Sequence, residues 1–127
     1  MPVYRAPVQE TLFVLNNVLG YERFGNLAGF ADASPDVLEA ILAEGAKLAE
    51  NVLHPSNRDG DEQGCVRHAD ASVKTPDSFK DAYRQYREGG WLGLAVDAEY
   101  GGQGLPYVVH TAVGEYFSSA NMAFTMY

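Results

Sequence analysis

At 127 residues, with 46% hydrophobic and 20% charged residues, the chain has the size and composition of one globular domain rather than of a disordered segment. Nine Lys and Arg against seventeen Asp and Glu leave a net charge of −8, which argues against a sequence-independent grip on nucleic acid and against docking to an anionic membrane surface. No run approaches the ~20 apolar residues of a membrane span, the start lacks the basic and apolar regions of a signal peptide, and the single Cys65 precludes an internal disulfide, so the chain reads as soluble and cytoplasmic.

Residues 1–7 hold two prolines and read as extended. Val8, Leu12, Leu15 and Leu19 then recur at helical spacing, with Phe13 and Val18 widening the stripe, and predict a helix over about 8–20 that Gly20 stops. Residues 21–33 carry three aromatics and two glycines without a period and read as an ordered connector. Ser34 as N-cap, Pro35 at the first helical position and Asp36 in the first turn open a second helix. Val37, Ile41, Leu48 and Val52 form one stripe of it, and Leu38, Leu42, Ala49 and Leu53 a second, which suits a helix packed on two neighbours. Gly45 inside it costs about 1 kcal/mol against alanine and leaves room for another helix to approach. The helix is expected to end at His54, because Pro55 disfavours helical geometry in the residue before it.

Residues 55–74 are polar and aperiodic and read as a loop. Thr75, Pro76 and Asp77 open a third helix with Phe79, Tyr83 and Tyr86 on its buried face, closed by Gly89 and Gly90. The glycine-rich segment 91–105 reads as irregular, with Leu92–Val96 as the only strand candidate. Pro106 opens a fourth helix through Val109, Ala112, Val113, Tyr116 and Phe117, and Asn121 caps a short fifth. The fold class is therefore all-α, a helical bundle with an extra amino-terminal helix.

Three segments invite a chemical reading. Over 59–70, Asp59, Asp61, Gln63, Gly64 and Asp70 imitate positions of a calcium-binding loop. Arg67 stands where an oxygen ligand is wanted, and Pro55 removes the entry helix, which leaves an Asp/Gly-rich turn as the plainer reading. Cys65 and His68 have zinc-ligand spacing with His54 upstream, but no second close pair completes a four-ligand set. A calcium- or zinc-binding domain on residues 54–70 thus stays as a minor alternative, with no metal ligand assigned. The glycines of "EYGGQGLP" at 99–106 have neither the third glycine and preceding strand of a dinucleotide fingerprint nor the lysine of a phosphate loop, and they read as a tight link into the helix opened by Pro106. No nucleophile constellation is visible: Ser118 and Ser119 lie at a helix end, and His110 and Glu115 do not share a helix face.

"GWLGLAVDAEYGGQGLP" at 90–106, the following helix with Glu115, and "SANMAF" at 119–124 resemble the amino-terminal domain of flavin-dependent acyl-CoA dehydrogenases. "AENVLHPSNRDGDEQGC" at 49–65, "TPDSFKDAYRQYREGGW" at 75–91 and "YRAPVQETLFVLNNVLG" at 4–20 are similar to the branch of large subunits that includes 3-methylthiopropionyl-CoA dehydrogenase-like proteins. The resemblance covers the whole chain. It implies an amino-terminal extension over 1–32 and a helical domain over 33–127, followed in the parent enzyme by a β-domain and a second helical bundle. It also implies FAD as the parent's cofactor, an acyl-CoA substrate and an electron acceptor. In such enzymes a carboxylate removes the proton α to the thioester carbonyl while hydride leaves the β-carbon for the flavin. The resemblance places that base and the principal flavin contacts beyond this chain, so no catalytic residue is assigned and neither Glu99 nor Glu115 takes the role. A chain that holds the first domain alone is expected to be inactive and free of flavin. An isolated first domain would expose apolar faces, which leads to the expectation of a non-native homo-oligomer. What carries over is one wall of the acyl pocket, at Leu105, Pro106, Tyr107 and Val108, with Phe124, Met126 and Tyr127 approaching it. Ordinary core packing is the competing reading of each. A stand-alone helical interaction module is the alternative of a different class.

Overall fold

A computed structural model of the chain describes residues 3–126. Among these residues the α-helices are α1 (Val8–Phe13), α2 (Pro35–Leu48), α3 (His54–Gln63), α4 (Asp77–Glu88), α5 (Tyr107–Ala120) and α6 (Met122–Thr125). A π-helical turn over Val14–Val18 prolongs α1, and another over Ala49–Leu53 joins α2 to α3 without a break. Short 3-10 turns occupy Tyr21–Phe24, Trp91–Gly93 and Ala98–Tyr100. The only strands among the described residues, β1 (Val66–Arg67) and β2 (Val73–Lys74), form an antiparallel hairpin with Val66 opposite Lys74.

The local start signals act as their chemistry requires. Pro35 opens α2 with Asp36 in its first turn, Pro106 precedes α5, and the Asn121 side chain accepts the Phe124 N–H at 3.1 Å to cap α6. Ser34 occupies the N-cap of α2 without a side-chain bond, and α4 begins one residue later than expected, with Pro76 rather than Thr75 before it. Gly20, in left-handed geometry, follows the π turn that ends the first helix.

α2 and α5 form the central pair, and α1 lies against α2. Leu38, Leu42 and Leu53 on one side and Val109, Val113 and Tyr116 on the other are fully buried between them. Gly45 eases this approach: a Cβ there would stand 3.1 Å from a Val113 methyl, tighter than most packed contacts, so that the valine would have to give slightly. On the other flank α3 packs on α4 and α6, and an edge-to-face chain runs from Trp91 through Phe117 and Tyr86 to Phe124 and Phe79.

The expected stop at His54 is not observed. His54 is helical, and its N–H pairs with the Ala49 carbonyl five residues back rather than four. The widened turn accommodates the Pro55 ring, which in a regular helix would meet the carbonyl four residues before it. α3, His54–Gln63, therefore takes up 55–63 of the expected loop, and the hairpin takes up much of the remainder. Leu92–Val96 is not a strand but a 3-10 turn and a bend. Tyr83, expected on the buried face of α4, is 52% exposed; Ala82 fills that place at 1%.

Candidate functional site

The glycine corner between Trp91 and α5 is closed on itself. The Asp97 side chain accepts the Glu99 N–H, and the Asp97 carbonyl accepts those of Tyr100 and Gly102. Gly101 donates to Ala98, Gln103 to Gly93, Gly104 to Val96 and Leu105 to Leu94. Every backbone N–H from Glu99 to Leu105 thus has an acceptor inside the corner, and none is left for a phosphate. Gly102 lies directly on the Val96 carbonyl. The segment is a folded corner that aims the first turn of α5.

The five pocket residues expected from sequence fall into two places. Leu105 and Pro106 are buried, Val108 is half-buried and Tyr107 is 72% exposed with its ring 5.3 Å from that of His110. Phe124 sits past the opposite end of α5, edge-on to Phe79 at 6.1 Å and to Tyr86 at 5.7 Å. The 14 residues of α5 put roughly 20 Å between the two places. Met126 is exposed beside Phe124's end of the chain, and Tyr127 lies outside the described residues. Only Val108 of the five opens onto a groove at the start of α5. There it meets Leu15 and Leu19 of the first helix, and Phe24, Leu27 and Phe30 of the connector. Sequence reasoning did not assign these connector residues to a site; their one signal was an aromatic density without a period.

The extension is tied down at its start. Ala6 N–H donates to Glu50 Oε1 at 3.0 Å, Arg5 pairs with the same carboxylate, and the Tyr4 N–H points at His54 Nε2 at 3.4 Å. Burial opposes the charge on Glu50, but the Arg5 guanidinium and the Ala6 N–H outweigh it and hold the carboxyl below its usual range. A depressed carboxyl stabilises the fold above the unfolded-state value and loses that contribution as pH falls through the folded one. Arg5 is mostly exposed, so the effect is modest. Glu50→Gln is expected to cost about 0.5–1 kcal/mol near neutral pH, with the gap to wild type closing below about pH 4. Thermal melts of both proteins at neutral and acid pH test this; a gap that persists at acid pH would contradict it.

The calcium-loop geometry kept as a minor alternative is not formed, and the expected turn over 59–70 is mostly helix and hairpin. Asp59, Asp61 and Gln63 lie on α3, where adjacent alternate positions face apart, and Asp70 instead accepts the Ser72 N–H and hydroxyl in a turn of the hairpin. Among the described residues no three His, Cys, Asp or Glu side chains gather as a metal site, and Cys65 is an exposed free thiol. No helix among them is long and apolar enough to cross a membrane.

Residues 36–127, from the first turn of α2 onward, match the family described as acyl-CoA dehydrogenase, N-terminal domain. The chain belongs to the acyl-CoA dehydrogenase family. Among curated relatives, the 3-methylmercaptopropionyl-CoA dehydrogenase of Ruegeria pomeroyi is 32% identical over 121 residues, 95% of this chain and 20% of the relative. The broad-specificity linear acyl-CoA dehydrogenase FadE5 of Mycobacterium tuberculosis is 34% identical over 128 residues, 100% of this chain and 21% of the relative. The chain therefore spans about a fifth of the length of these acyl-CoA dehydrogenases. Both relatives match through nearly all of the amino-terminal extension, which the family profile leaves out.

Proposed function

We propose that the chain is the amino-terminal helical part of an FAD-dependent acyl-CoA dehydrogenase, an enzyme that introduces an α,β double bond into an acyl thioester. Residues 1–32 form an extension and 33–127 the domain proper. The observation that carries this reading is the family match over α2 to α6. The chain's part is to wall the acyl pocket at the start of α5, with Leu105 and Pro106 fixing the wall and Val108 and Tyr107 facing outward from it. Phe124 stands too far along α5 to share that contact and belongs to a second wall at the other end.

These residues do not by themselves fit a flavin. The corner's N–H groups are all used internally, which leaves none to hold a pyrophosphate there. The cofactor, the catalytic base and the electron acceptor's site are accordingly assigned to other parts of the parent enzyme.

The test compares this chain with the complete polypeptide. The complete protein is expected to carry flavin absorbance and to reduce an artificial electron acceptor with a linear acyl-CoA, while the chain alone is colourless and inactive. Stoichiometric flavin retained by the chain alone would overturn the assignment. A complete protein without flavin or turnover would favour the helical interaction module instead.

A further inference from the structure

The extension is fixed at its far end and only clasped at its start. Leu15 and Tyr21 are buried, and Gly29 lies so close to Gly104 that a Cβ would collide with the Gly104 carbonyl oxygen. Before Leu15 the anchoring changes in kind, because no residue from Val3 to Val14 is buried. The hold on this stretch is largely polar. Tyr4 and Ala6, two residues apart in a segment without helix, turn their N–H groups to one side. There Glu50, in the π turn, accepts from Ala6 and pairs with Arg5, and His54, just after that turn, accepts from Tyr4 at Nε2.

The two acceptors differ in one respect. A carboxylate keeps its lone pairs throughout the neutral range. An imidazole nitrogen accepts only while the ring is neutral, and the ring proton of His54 then lies on Nδ1. Protonation puts a second N–H on Nε2, so that donor meets donor at Tyr4. The new charge also adds to that of Arg5 and competes with it for Glu50, one turn back along the helix. The surrounding charges leave this balance in place. Arg58, one turn on, pairs with Glu62, and Lys47 at the end of α2 pairs with Glu44. The charges of α4 pair along their own helix, and α6 carries none. From α5, the Glu115 carboxylate acts on the Tyr4 hydroxyl, which reaches toward Ser119.

We propose that His54 is a pH-sensitive clasp for the start of the extension: neutral, it holds Tyr4 to the helix, and protonated, it releases residues 3–6 while Leu15 and Tyr21 keep the rest docked. The clasp is closed above the titration of the histidine and opens as pH falls through it, within the range of about pH 5–8 where histidine changes charge. Glu50, held below the usual carboxyl range, loses its charge only at lower pH, so the two contacts are separable.

Nitrogen and amide NMR of this chain between pH 8 and pH 5 tests the clasp. His54 is expected to carry its proton on Nδ1 at pH 8. The Tyr4 and Ala6 amide resonances should then move with one midpoint, shared with the His54 ring. Hydrogen exchange at Ala6, corrected for its intrinsic pH dependence, should lose protection about threefold or more by pH 5, while Leu15 keeps its own. His54→Gln, whose amide oxygen accepts at every pH in this range, should hold Tyr4 without the transition. His68 in the hairpin and His110 beside Tyr107 should titrate without moving the Tyr4 amide. A proton on Nε2 at pH 8, Tyr4 and Ala6 resonances that stay fixed, or a transition that survives in His54→Gln would each overturn the proposal. The first two of these outcomes are read on the wild-type chain, so a variant that failed to fold would not shelter it.

Discussion

Gly102→Ala should lower the melting temperature by about 10 °C or more, corresponding to about 3 kcal/mol for a domain of this size. A methyl group at that position would fall inside the Val96 carbonyl and against the Val96 side chain. The carbonyl cannot simply swing away, because it accepts the Gly104 N–H at 2.9 Å. Moving it frees Gly104, and through the linked bonds of Gln103 and Leu105 it shifts the entry to α5. The loss should therefore include the register of Pro106 and Val108 and not only the corner. Gly114→Ala is the matched contrast: it lies inside α5 with open space where its Cβ would be. That change should stabilise by about 0.5–1 kcal/mol, from helix propensity alone. Paired thermal melts decide the matter; two glycine variants of equal and small effect would show that the corner is softer than its bonding implies.

Asn121→Leu is expected to cost about 3 kcal/mol, and Ser56→Ala about 1–2 kcal/mol. Asn121 is 1% exposed and does two things at once. Its oxygen accepts the Phe124 N–H and starts α6, while its amide donates to Ser56 Oγ at 2.9 Å, 65 residues away in sequence. Ser56 in turn donates to the Leu53 carbonyl at 2.7 Å, inside the helix that runs through Pro55. Replacing Asn121 leaves the Ser56 oxygen with one bond in a buried site and uncaps α6. Replacing Ser56 leaves an amide hydrogen unpaired. Because the two share one bond, a double-mutant cycle should return a coupling of about 1 kcal/mol. Strict additivity would place the cost in each residue's own cap and remove the link between α3 and α6.

How far the sequence reached depended on how local each signal was. The starts of α2, α5 and α6 were legible because Pro35, Pro106 and Asn121 act on backbone groups within one turn of themselves. The buried stripes of α2 and α5 came from their period, and the glycine corner could be refused as a nucleotide cradle because its spacing was wrong. The candidate site was legible only in part. Val108 was named, but its partners Phe24, Leu27 and Phe30 come from a connector whose aromatics keep no period, so nothing in their order points to a shared groove. Phe124 was grouped with Val108 on resemblance, and the length of α5 separates them.

By itself, then, the sequence determined an all-helical domain, the starts of α2, α5 and α6, its central stripes and its family, since each rests on short-range preferences or on side-chain order along the chain. The tertiary structure decided whether a helix would pass Pro55, which way the extension would lie, and which apolar residues would stay uncovered. At Pro55 the intrinsic preference to stop is weak beside the burial of Leu53 and Ser56 against α5 and α6, and a π turn reconciles the two. At Gly29 and Gly104, backbones far apart in sequence meet with no side chain between them. Contacts of that range depend on the packing of whole helices, which no window of neighbouring residues encodes.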